Sequence, residues 1–221
     1  MYNVSGQVVR TLLSMNFRFL VRSLIAFYSL FVVQTSALGK TEAECLDAIK
    51  AGNELIQKNP NDYSGYASRG CGYEYLKKYD LAEKDLLKAI SLRPDLSGLY
   101  GHLAFTCYET KRFEKAAVAS RKAFELGAKG QSASNALLAN LCMARHFEEC
   151  LERCNEVISI FPNNGVAFYY RAICRNELAA ASKEQILADL DKAKSLCPEN
   201  VSIKELYTLA KAGKSIKLKY R

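Results

Sequence analysis

The 221-residue chain carries 31 Lys and Arg against 23 Asp and Glu, a net charge of +8, with 49% apolar residues and eight cysteines. The positive excess sits at the ends: residues 1–40 hold four basic residues and no acid, and residues 204–221 hold six basic residues and one acid. Residues 41–203 hold 21 basic and 22 acidic side chains, so no phosphate-tracking stripe is expected along the body and nucleic acid is not an expected partner.

The amino-terminal segment comes first. Arg10, Arg18 and Arg22 precede an apolar run from Leu24 to Val33, and the small residues Thr35 and Ala37 follow it. A basic region, a short apolar run and a small-residue exit are the parts of a secretory signal. Residues 1–37 therefore read as a signal peptide or N-terminal anchor, with cleavage near Ala37 and an exported chain, periplasmic or in the secretory pathway. Three alternatives stay open. Residues 23–39 are seventeen uncharged residues, at the low edge of the roughly twenty needed to anchor in a membrane. An acid-free, Arg- and Ser-containing leader also suits a mitochondrial presequence, although its apolar run is not amphipathic. The segment could also supply the missing first helix of the half unit that follows.

From Thr41 to Asn59 the apolar spacing of Cys45, Ala48, Ile49, Leu55 and Ile56 predicts a helix, and Pro60 ends it. Pro60, Pro94 and Pro162 lie on one 34-residue grid, with Ala128 on the remaining node. The copy from Tyr63 places Tyr66, Gly70, Tyr73, Ala82, Leu86 and Ala89 at its fourth, eighth, eleventh, twentieth, twenty-fourth and twenty-seventh positions. Ser97 opens a second copy with Tyr100, Ala104, Ala116 and Ala123. A third from Gln131 has Leu138, Leu141, Cys150 and Val157. A fourth from Gly165 has Phe168 and Ala172 and closes on Pro198, two residues late, which places an insertion in the AAASKEQ turn. Tyr79, Phe113 and Phe147 share the seventeenth position. After Pro198, Ile203, Leu206, Tyr207 and Leu209 predict one more amphipathic helix.

This pattern resembles the tetratricopeptide repeat, in which small residues let two antiparallel helices approach and proline stops the second. The resemblance implies an all-α, right-handed α-solenoid of stacked antiparallel helix pairs with a C-terminal capping helix. The array spans 41–198, as a half repeat at 41–62 and repeats at 63–96, 97–130, 131–164 and 165–198. Residues 199–221 form the capping helix and basic tail.

The resemblance further implies that first helices line a concave groove. It places Tyr75, His102, Phe105, Tyr108, Asn135, Tyr169 and Tyr170 there, with Ala136, Ala139, Cys142 and Ile173 among the smaller or less polar lining positions. Such a floor suits an extended peptide or helix of a protein partner. The Lys, Asn and Arg of a chaperone-tail clamp are missing. Ala67, Cys71, His102, Ser132 and Ala136 stand at those places, so a co-chaperone of that kind is not expected.

Chemistry finds no footing in the motifs. There is no phosphate loop, nucleophile elbow, zinc-binding helix pair or dinucleotide fingerprint. No enzyme activity, cofactor or small-molecule substrate is expected, and membrane contact is expected only through residues 23–39 or the basic tail. On the grid, Cys150 faces the next repeat near Cys174, making the two a disulfide candidate. His146, Cys150 and Cys154 share one helix face, but the outer pair lies about 12 Å apart, too far for one small ion. No metal is expected from that trio. A membrane-anchored assembly or import factor, and a thiol–disulfide or metal-binding protein using Cys150, Cys154 and Cys174, remain the competing functions.

Overall fold

The computed structural model describes residues 41–214, and the expectations for the leader and the last seven residues fall outside it. The chain divides into two units between residues 44 and 45. Of the first, residues 41–44 show the start of a helix capped by its own side chains. The Thr41 amide donates to Glu44 Oε2 (2.6 Å) and the Glu44 amide donates to Thr41 Oγ1 (3.3 Å).

Helix α1 spans Glu42–Lys58. There follow α2 (Tyr63–Tyr75), α3 (Tyr79–Leu92), α4 (Ser97–Glu109), α5 (Phe113–Glu125) and α6 (Gln131–Met143). The series continues with α7 (Phe147–Ile160), α8 (Gly165–Glu177), α9 (Lys183–Leu196) and α10 (Val201–Lys211). The described residues contain these ten helices and no strand, so the all-α expectation holds. Helices α2 and α3, α4 and α5, and α8 and α9 pack as pairs. Each first helix also touches the next first helix, which makes an α-solenoid closed by α10 on α9.

The turns explain the spacing. Lys77, Lys111, Arg145 and Ala179, 34 residues apart, all adopt a left-handed backbone, with φ of 57°, 59°, 65° and 49°. Each follows a first helix and closes it with a pair of main-chain bonds: Lys77 N to Glu74 O and Lys78 N to Tyr73 O at the first turn, Arg145 N to Cys142 O and His146 N to Leu141 O at the third. The first three turns use three residues (76–78, 110–112, 144–146) and the fourth uses five (178–182), which absorbs the late Pro198. Ser182 and Gln185 then cap α9 reciprocally. Where Ala128 replaces the closing proline, Gly127 at φ 98° ends α5. The Tyr66 and Tyr100 hydroxyls donate to the carbonyls of Pro60 and Pro94 and tie each repeat back to the preceding stop.

The second helices carry the spine of the core. Ala82, Leu86 and Ala89 are fully buried on α3, as are Cys150 and Cys154 on α7 and Leu190 and Ala193 on α9. On α5 the bulky place is taken by Ser120, whose hydroxyl accepts from the Asn140 side-chain amide, a buried polar pair linking α5 to α6. Repeats one and four share an ionic clamp. Arg69 reaches across to Asp85 with two N–H donors (2.7 and 2.8 Å) and to Asn53 Oδ1 (2.8 Å). Arg171 treats Asp189 and Asn155 in the same way, and Arg175 adds a second cation to Asp189 (2.7 Å). Each clamp joins a first helix to its own second helix and to the second helix before it.

A candidate peptide-binding groove

The first helices expose a line of small residues between aromatic ones, which leaves two adjoining clefts along their shared face. A cleft of about 540 Å³ is bounded by Tyr75 and Glu74 of α2 and by Gly98, Gly101, His102, Phe105 and Glu109 of α4, with Lys77 and Tyr79 beside them. A second, of about 480 Å³, lies between α4 and α6, with Phe105, Tyr108 and Phe124 as walls and Gly98, Gly101, Ala133, Ala136 and Ala139 as floor. A Cβ added at Gly98 or Gly101 would meet nothing within 4 Å, so these glycines open room instead of permitting a backbone crossing. Tyr75 and Phe105 are 47% and 48% exposed, two large side chains open to solvent that both line the first cleft.

The polar floor of the first cleft is preorganised. Glu74 is buried, and His102 Nδ1 lies 3.0 and 3.2 Å from its two carboxylate oxygens. The Thr106 hydroxyl donates to the same carboxylate (3.2 Å). Hydrogen bonding to the Cys71 sulfur and to Glu74 raises the His102 imidazole to about 10, against the opposing effect of burial. At neutral pH the floor therefore carries an imidazolium–carboxylate pair. Because the folded-state value lies above the ordinary 6.5, this stabilisation is complete below about pH 6.5 and fades as pH rises toward 10. We expect the urea midpoint to fall between pH 7 and pH 10, and His102→Gln to flatten that part of the slope. An unchanged slope in the variant would contradict the pairing. The His102 side chain is 38% exposed, so solvent screens part of the effect.

The remaining groove candidates sit differently. Tyr108 stacks edge-on against Phe113, at 5.7 Å between centroids and 67°. Asn135 Oδ1 accepts from Asn164 Nδ2 (2.7 Å), and Asn164 in turn caps α8 by accepting from the Ala167 amide. Asn135 thus positions the next repeat. Tyr169 and Tyr170 form an edge-on pair (5.1 Å) that packs against the core, and burial raises Tyr169 to about 12 and Tyr170 well above its usual range. Cys142 and Ile173 are buried at 0% and 2%, which corrects their placement as groove lining: α6 and α8 are covered on that side by the neighbouring helices.

The thiols of Cys150 and Cys174 come together beneath this face with that of Cys142, and all eight cysteines are free. His146 is occupied elsewhere, with Nε2 on Glu114 (2.7 Å) and Nδ1 facing Arg121 (3.2 Å). On the outer face a third cleft exposes Leu87 and Val118, but Glu83 pairs there with Arg112 and Lys115, Arg121 with Glu149, and Lys122 with Glu125.

Stacked helical hairpins with a small-residue seam and an aromatic inner face define a helical-repeat scaffold for protein–protein interaction. Residues 63–96 match the family profile of the tetratricopeptide repeat. Over 113 residues it is 29% identical to small glutamine-rich tetratricopeptide repeat-containing protein 2 of Saccharomyces cerevisiae. That alignment covers 51% of this chain and 30% of the relative, so the chain spans less than a third of the relative's length. Among solved structures, YrrB, described as a TPR protein with an unusual peptide-binding site, superposes with a TM-score of 0.62 at 14% identity, over 75% of this chain and 84% of that one. MamA gives 0.60 at 17% identity, over 68% and 87%. At these identities the likeness is one of fold. No helix among the described residues is long and apolar enough to cross a membrane.

Proposed function

We propose that this chain is a non-catalytic module that holds an extended or helical segment of a protein partner in the groove of α2, α4 and α6. One observation carries the reading: exposed Tyr75 and Phe105 flank a floor of Gly98, Gly101, Ala136 and Ala139 that leaves unfilled room for incoming side chains. A bulky apolar anchor on the partner would fill the space between Phe105 and Tyr108, where desolvated contacts count most. The His102–Glu74 pair would fix orientation through hydrogen bonds. The inner face is favoured over the outer cleft because the outer charges already satisfy one another.

The leader composition supports a partner met after export, and a retained leader would make the same groove that of a membrane-anchored assembly factor. Panning a random peptide library against the full-length protein tests the groove. Enriched peptides should share a large apolar anchor. Ala136→Arg, which fills the cleft from an exposed position, should weaken them roughly tenfold or more with the melting temperature unchanged. Peptides that bind the variant as tightly would place the site elsewhere.

A further inference from the structure

Cys142 near the end of α6, Cys150 on α7 and Cys174 on α8 bring their sulfurs within 4.8 Å of one another. All three are 0% exposed. Cys154, one turn along α7 and equally buried, lies in the same core, next to but outside this group of three. Three thiols from three helices thus converge, with Cys154 next to them, in a core that also holds Leu137, Leu138, Leu141 and Ala172. Cysteine as a mere filler of small positions explains each residue singly, but does not require the sulfurs to point at one centre.

Two chemistries could use such a cluster. A disulfide needs sulfurs about 2.05 Å apart and would employ only two of the four. A thiolate-bound metal, at about 2.3 Å per bond, needs sulfurs about 3.8 Å apart on every edge and employs them together. The spacing is nearer the second requirement, and rotation about the Cys side chains can close the difference.

We propose that Cys142, Cys150 and Cys174, with Cys154 as the fourth ligand, form a buried thiolate site for a soft d10 cation, zinc or copper(I). Zinc takes all four sulfurs in a closed tetrahedron, whereas copper(I) is satisfied by the three that already converge. Each thiol that becomes a ligand releases one proton to solvent and no electron is transferred. The site would pin α6, α7 and α8 into one body and so rigidify the joint between repeats three and four, on which Tyr169 and Tyr170 rest. Burial means that the ion enters as the chain folds.

The test is elemental analysis of the full-length protein purified without chelator under anaerobic conditions, with a parallel sample refolded in the presence of zinc or copper(I). About one equivalent of metal per chain should be retained, and which metal remains identifies the ion. Cys142→Ala and Cys174→Ala should each lower retention roughly tenfold or more, whereas Cys71→Ala, away from the cluster, should leave it unchanged. Refolding with cobalt(II) should add thiolate-to-metal charge-transfer bands, which are lost in Cys150→Ser as an independent readout. Metal-free wild-type protein after both treatments would overturn the proposal. So would equal retention by the variants, or an intact mass showing a disulfide within the cluster.

Discussion

Replacing Arg69 by Ala should lower the unfolding free energy by about 3 kcal/mol, the largest single effect expected in this chain. The Asp85 side chain is 6% exposed and receives both of its charged hydrogen bonds from Arg69. Removing the guanidinium leaves a buried carboxylate uncompensated and also releases Asn53 of α1. Arg69 is itself 24% exposed, so water can reach part of the gap, which sets the value at the low end for a broken buried pair. The related Arg171→Ala should cost only about 1 to 2 kcal/mol, because Arg175 still donates to Asp189. Changing both partners, Arg69→Leu with Asp85→Leu, should recover most of the loss. Urea unfolding of the four proteins separates the cases. Equal losses for Arg69→Ala and Arg171→Ala would show that the second cation at Asp189 contributes nothing.

The second large effect lies at the crossing of α1 and α2. A Cβ on Gly52 would stand 2.7 Å from the Gly65 carbonyl oxygen, 2.8 Å from Arg69 Cβ and 2.9 Å from the Arg69 amide nitrogen. None of these atoms is the end of a flexible side chain, so the helices must separate. Gly72 meets the same limit against Ile49 and the Cys45 carbonyl. Gly52→Ala should therefore destabilise by about 2 kcal/mol despite the better helix propensity of alanine. Gly101→Ala, with nothing within 4 Å, should stabilise by about 1 kcal/mol. Hydrogen exchange should show the Gly52→Ala loss concentrated in α1 and α2. Uniform loss across all the helices would contradict a local crossing.

What the sequence made legible follows from which residues repeat. The 34-residue grid is visible because helix stops and small contacts must recur wherever identical hairpins stack. The all-α solenoid followed from Ala82, Leu86 and Ala89 and their counterparts. The two ionic clamps were missed, although Arg69 and Arg171 hold the same place in their repeats and each has an Asp on its own second helix. A signal existed, but charge on a helix usually faces water and only the fold shows Asp85 and Asp189 buried. The burial of Cys142 was illegible for another reason. Helix α6 reads Leu137, Leu138, Leu141, Cys142 with no polar face to orient it, so position in the repeat alone assigned that sulfur to the groove. Asn135 was read as a contact for a partner, whereas its acceptor is already committed to Asn164.

The proposed docking surface is the inner face of the first helices. The most direct test places a photo-reactive amino acid at Phe105 on that face, or at Leu87 on the outer cleft, in the full-length protein in its native cells. Both positions are 48% exposed, so accessibility does not distinguish them. A cross-linked partner segment is expected from position 105, abolished by Ala136→Arg, and none from position 87. Cross-linking from position 87 alone would contradict this and move the binding surface to the outer helices.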